Sequence, residues 1–176
     1  MIRLPRASRQ DLFFAEFNSY IKTMSILTSE NFIQAVPQGK RIMGLDVGSK
    51  TVGIALSDVL HMVASPLETL HRKKFKADIL RFQEIVTEHE VGGFVLGMPI
   101  SMDGSEGPRC QSTRAFARNL TEIIDLPTTY QDERMSTQAV ERVLINDADM
   151  TRKRRGEIID KLAAVYILQG FLDRVG

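Results

Sequence analysis

GLDVGSKTVGIALSD, residues 44–58, sets an aspartate near the end of one apolar strand and turns at once into a second. The approach, Arg41-Ile42-Met43-Gly44-Leu45, is mostly apolar, and the exit, Val47-Gly48-Ser49-Lys50-Thr51, is a glycine turn. Val52-Gly53-Ile54-Ala55-Leu56-Ser57-Asp58 then runs back. Asp46 sits between the approach and the turn. A carboxylate placed there gives up part of its hydration and needs a compensating partner.

Working outward, Pro66-Leu67-Glu68-Thr69-Leu70 reads as a third strand. The short spacing makes the three an antiparallel meander. Phe75, Ile79, Phe82, Ile85, Val86 and His89 recur at helical spacing. Gly92-Gly93-Phe94-Val95-Leu96-Gly97 is a short apolar run, the pattern of a central strand covered on both faces. A Gly-, Asp- and Ser-rich loop spans Met98 to Gly107, and Phe116, Leu120, Ile123 and Ile124 mark a second helix. Leu126 to Tyr130 leads a strand into Asp132-Glu133-Arg134. Ser136 has the character of an N-cap for a helix with Val140, Val143 and Leu144. A basic stretch, Arg152-Lys153-Arg154-Arg155, precedes a last helix over about 157–173. The order β-β-β-α-β-α-β-α-α is an α/β arrangement, a mixed sheet covered by helices of the RNase H-like kind. Residues 1–40 lack a clean period and read as an N-terminal extension, poorly packed or partly disordered over 1–23 and with a short helix at 25–36; Met24 is a second candidate start. The domain proper is 41–176.

The bulk numbers narrow the classes. The chain has 176 residues, enough for one domain with a sizeable core. Hydrophobic residues are 43% and charged residues 26%, ordinary for a globular protein. The net charge of +1 means that any polyanion must be held by local basic clusters. Cys110 is the single cysteine, so no intramolecular disulfide forms, which suits a reducing compartment. No apolar stretch approaches the roughly 20 residues of a spanning helix, and the N-terminus does not read as a signal peptide.

In open α/β sheets, ligands gather at the carboxyl ends of the strands. The acids fall in those places: Asp46 near the end of the first strand, Asp103 in the loop after the Gly92–Gly97 strand, and Asp132 and Glu133 at the end of the last. Asp160 shares a helical face with Ala163, Ala164 and Ile167, a face able to approach the sheet closely. Converging carboxylates repel unless some take protons or a cation neutralises them. Hard oxygen donors without Cys or His favour Mg²⁺ or Mn²⁺, and a pair of such ions serves phosphodiester hydrolysis. Each piece also has a plainer reading: Asp103-Gly104 as a turn, Asp132-Glu133 as a solvated strand end, Asp160 paired to Lys153 or Lys161. His61, His71 and His89 read as structural or exposed, and Cys110 has no base near it in sequence.

GLDVGSKTVGIALSD (44–58), GMPISMDGSEGP (97–108), DERMST (132–137) and IDKLAAVYILQ (159–169) together resemble the YqgF family, in the same order, over about residues 41–173. That resemblance implies a RuvC-like fold and a cytoplasmic bacterial nuclease that trims the 5′ end of precursor 16S rRNA; activity on Holliday junctions, a branched DNA, is the alternative it carries. It puts the family's first-strand Asp on Asp46, its Asp-Glu pair on Asp132 and Glu133, and its helix-borne Asp on Asp160. Catalysis is thus expected from Asp46, Asp132, Glu133 and Asp160, with Mg²⁺ or Mn²⁺ on Asp46, Glu133 and Asp160. Lys50, Arg109, Arg134 and the run Arg152, Lys153, Arg154, Arg155 are expected to grip structured nucleic acid, with Arg72-Lys73-Lys74-Lys76 as a second basic cluster. No membrane is expected as a partner, and the working unit is a monomer or homodimer. Met98 and Met135 stand where leucine is common in the family.

Two other classes compete. Asp46, Gly48 and Gly53 also fit the phosphate hairpin of actin-like kinases, but those need two such domains to close over ATP, and this chain carries one copy. An rRNA-binding assembly factor without catalysis would have no use for the acids; a cleavage assay separates it from a nuclease.

Overall fold

The computed structural model describes residues 26–133 and the helix from Arg152 to the C-terminus, with side chains from Lys161 onward. The helix expected at Ser136 lies outside the described residues. Helix α1, Ser29–Ala35, is followed by β1 (Arg41–Val47), β2 (Thr51–Ser57) and β3 (Ala64–His71). Then come α2 (Phe75–Glu88), β4 (Val91–Met98), α3 (Pro108–Ile123), β5 (Thr128–Asp132) and α4 (Arg152–Val175).

The five strands form one sheet in the order β3-β2-β1-β4-β5. β1 to β3 pair antiparallel, and β4 and β5 are parallel to β1. This is the mixed RNase H-like sheet expected from the spacing of the strands. Alternation along β1 separates two cores. Met43 and Leu45 pack with Phe82, Phe94, Phe116 and Leu120 under α2 and α3. Ile42 packs on the other face with Phe32, Val95, Leu168 and Phe171, under α1 and α4. β4 is buried at every position, as its unbroken apolar run requires.

Helix α1 belongs to the second core. Thr28 caps it, accepting from the Asn31 amide at 3.4 Å, and Phe32 is wholly buried. The Phe32 ring meets Phe171 edge-on, with centroids 5.3 Å apart. Ile26 bridges to Thr128 on β5. The wall between β1 and α4 is thin. A Cβ on Gly44 would lie 2.6 Å from Leu168 Cβ and 3.1 Å from the Ala164 carbonyl oxygen, so the helix rests on bare strand backbone.

One boundary differs from expectation. The helix begins at Arg152, not near 157, so the basic run is its first turn and not a loop ahead of it. Arg and Lys are good helix formers, and a periodicity search keyed to apolar residues does not see a turn made of them.

Candidate active site and basic cleft

β1, β4 and β5 all point the same way, so their carboxyl ends share one edge. Leu45 is level with Leu96, and Leu96 with Tyr130. One residue further on, Asp46, Gly97 and Gln131 form a row across the three strands. Asp46 is on the face of Ile42 and Gly44, the α4 face. Gln131 shares it: a Cβ on Gly170 of α4 would lie 3.5 Å from its side-chain nitrogen. Glu133, two residues beyond, returns to the same face, and its amide donates to the Met98 carbonyl at 3.2 Å. By the same alternation Asp132 sits on the opposite face, with Tyr130.

Gly97 makes room for this arrangement. A Cβ there would run into the Glu133 carboxyl group, 2.9 Å from its Cδ, and into the Ile167 side chain. The Glu133 carboxyl is therefore laid over bare β4 backbone, against α4. Burial pushes its pKa up to about 7; the negative charge of Asp46 adds to the rise, Arg109 opposes it, and Asp132 contributes a smaller increase. So Asp46, Glu133 and Arg109 share one electrostatic neighbourhood, although strands and a helix far apart in sequence supply them.

The helix of Asp160 crosses this row. Ala164 touches Gly44 on β1, and position 160 lies one turn earlier on the same helix. The Asp160 side chain lies outside the described residues, as do those of Arg152, Lys153, Arg154 and Arg155 and the whole of Arg134. Among the described side chains no group of three Asp, Glu, His or Cys is arranged to hold a metal ion; what is present is the pair Asp46 and Glu133.

Beside the acids, the β1–β2 turn and the start of α3 enclose a cleft of about 440 Å³. Ser49, Lys50, Thr51, Arg109 and Ser112 line it. Lys50 and Arg109, both exposed, thus come together although 59 positions separate them (109 − 50). Arg72 fixes the turn. Its guanidinium donates to the Gly48 carbonyl at 2.8 Å, its amide to the Lys50 carbonyl at 2.9 Å, and it covers the Phe116 ring at 5.4 Å. The sequence puts Arg72 among the substrate-gripping cations; in the fold it is engaged with its own protein.

Other singled-out residues take local roles. Asp103 accepts from the Ser105 amide at 2.9 Å and hydroxyl at 2.7 Å, closing a turn at Gly104. Cys110 is buried and donates its thiol to the Pro99 carbonyl at 3.1 Å, tying α3 to the loop after β4. His61 bonds the Lys40 carbonyl at 2.8 Å. Reading the sequence missed Gly97 and Ser112. A glycine inside an apolar strand is a signal of close approach, and Ser112 follows Arg109 by three, one helical turn along the same face.

The family model described as RuvX, Holliday junction resolvase, matches residues 40–174. A protein of Roseobacter denitrificans named "Putative pre-16S rRNA nuclease" is 55% identical over 154 residues, 86% of this chain and 94% of that one. One of the same name from a Ruegeria species is 57% identical over 146 residues, 83% of this chain and 92% of that one. The Thermus thermophilus RuvC structure aligns with a TM-score of 0.49 and 11% identity, over 77% of this chain and 96% of that one. With a family match running from Lys40 to Arg174 and relatives more than half identical along almost their whole length, the chain belongs to the RuvX family, the YqgF family that its four motifs resemble.

Proposed function

We propose that this chain is a nuclease that hydrolyses phosphodiester bonds in structured nucleic acid, and that its task is 5′-end processing of precursor 16S rRNA, the RNA its relatives are named for. The observation that carries the chemistry is the Glu133 carboxyl, pressed over Gly97 beside Asp46 and pushed up to about 7. A buried acid raised by a second acid is a site in need of a cation. The donors are hard oxygens, which fit Mg²⁺ or Mn²⁺. Asp46 and Glu133 would hold the metal from the sheet and Asp160 from α4. Bound ions would supply water activation and stabilisation of the leaving oxygen. Asp132, on the other face, would shape the charge around Glu133 and not bind metal itself. Arg109 opposes the rise in the Glu133 pKa and so lowers the cost of ionising Glu133 when a cation binds. Arg109, Lys50, Arg134 and the Arg152–Arg155 turn would hold phosphates. Such a task places the protein in the bacterial cytoplasm; no helix among the described residues is long and apolar enough to cross a membrane.

The family description favours a second substrate, the Holliday junction. One experiment separates the readings: a precursor 16S rRNA fragment and a four-way DNA junction, each with Mg²⁺, Mn²⁺ or EDTA, and Asp46→Asn as control. Metal-dependent cleavage of the RNA, lost in Asp46→Asn, is the expected result. Cleavage of the junction alone would move the substrate to DNA. Tight RNA binding without cleavage under any ion would make the chain an assembly factor.

A further inference from the structure

Resting on the nuclease reading, we infer that the cleft between the β1–β2 turn and α3 is a single-nucleotide subsite that holds the phosphate next to the one being cut. Three observations point there. First, Arg109 lines the cleft and its charge also acts on Glu133, so the cleft borders the acids around the end of β1, although its Val47 wall is on the other face of the sheet from Asp46. Second, its lining among the described residues carries two cations, Lys50 and Arg109, with the hydroxyls of Ser49, Thr51 and Ser112, and no carboxylate. An acidic centre repels a polyanion; a cationic, hydroxyl-rich cleft at its edge attracts one and sets which phosphate stops over the acids. Third, the turn that carries Lys50 is held by the protein itself. Arg72 pins the Gly48 and Lys50 carbonyls, and Phe116 holds Arg72 in turn. A fixed turn leaves less chain to order when a phosphate is bound.

The volume, about 440 Å³, lies at the small-ligand end of binding sites, roughly 300–1,000 Å³. That is room for one nucleotide unit, the phosphate with its sugar. The contacts are to phosphate, and carry position and not sequence. Arg109 serves both sites, since its charge also acts on Glu133; Lys50 serves the cleft.

The test uses the full chain and an RNA it cleaves. A single neutral methylphosphonate is placed in turn at each linkage flanking the cut, on a 2′-deoxy nucleotide. The control is the same deoxy nucleotide with an ordinary phosphate. One flanking position is expected to lower kcat/KM by about 10- to 100-fold, the span for losing hydrogen bonds to a charged group. Lys50→Ala with Arg109→Ala should slow the ordinary substrate by a similar factor and be indifferent to the neutral linkage. Because one arm alters only the substrate, misfolding cannot mimic the result. If no flanking linkage matters, or if the double variant stays as sensitive as the parent, the subsite is refuted while the nuclease stands. If no RNA is cut with either ion, the nuclease reading fails and the subsite falls with it.

Discussion

Glu133 joins burial and a neighbouring acid in one ionisation. Its carboxyl is raised to about 7 first by burial and then by Asp46. An acid whose folded pKa lies above its unfolded value binds more protons when folded across that window. Stability attributable to it is then fully present below the unfolded pKa, near 4, and is lost as pH rises through about 7. The interval corresponds to at most about 3–4 kcal/mol. Melting of the metal-free protein should therefore fall between pH 5 and pH 8, and Mg²⁺ should restore most of the loss at pH 8. Asp46→Asn removes a neighbouring negative charge. It should lower the Glu133 pKa, leave the metal-free protein equally or more stable at pH 8, and abolish cleavage. A large loss of stability in Asp46→Asn would instead make Asp46 a structural residue, held by an internal bond. Titration of Glu133 by NMR in parent and variant checks the shift directly.

Between elements, two glycines decide how close α4 comes to the sheet, and they should respond differently. At Gly44 an alanine Cβ meets Leu168 Cβ and the Ala164 carbonyl, both part of the packed helix. Gly44→Ala should lever α4 off β1 and cost roughly 1–3 kcal/mol. At Gly97 the Cβ meets the end of the Glu133 side chain and the tip of Ile167, which can swing away. Gly97→Ala should cost less stability, yet displace Glu133 and drop cleavage by two orders of magnitude or more, roughly what misplacing a catalytic group costs. Equal melting losses with cleavage intact in Gly97→Ala would show that the Glu133 carboxyl does not need the bare backbone. Helix α1 gives a third case. Phe32 fills the space between β4 and Phe171 although it precedes the family-matched segment. Phe32→Ala should cost about 3–5 kcal/mol, read by denaturant unfolding.

The molecule as a whole is nearly neutral, at +1, so its grip on a polyanion must be local. The first turn of α4 carries Arg152, Lys153, Arg154 and Arg155, on the helix that crosses the row of Asp46, Gly97 and Gln131. Lys153→Ala, Arg154→Ala and Arg155→Ala combined should weaken RNA binding. The slope of log affinity against log salt should flatten by about 0.7 for each single-strand phosphate that the variant no longer neutralises. Metal binding at the acids should survive. An unchanged affinity and slope would move the binding surface elsewhere, with the Lys50–Arg109 cleft the first place to look.

The sequence by itself determined the mixed sheet and the order of its elements along the chain. Alternation in β1, the glycine turn after Asp46, the doubly apolar β4 and the spacing of Phe82 or Leu120 are local patterns, and local patterns survive in one dimension. It also marked Asp46 and Glu133, because a carboxylate at the end of an apolar strand is costly wherever that strand lies. Tertiary structure decided what the acids face. Only the register of β1 against β4 and β4 against β5 puts Glu133 on the side of Asp46 and Asp132 on the other. The meeting of Lys50 with Arg109 was likewise invisible, as was the diversion of Arg72 to the turn. A charged side chain looks the same in sequence whether it meets a phosphate, a carbonyl or water; its partner is chosen by the chain's path through space.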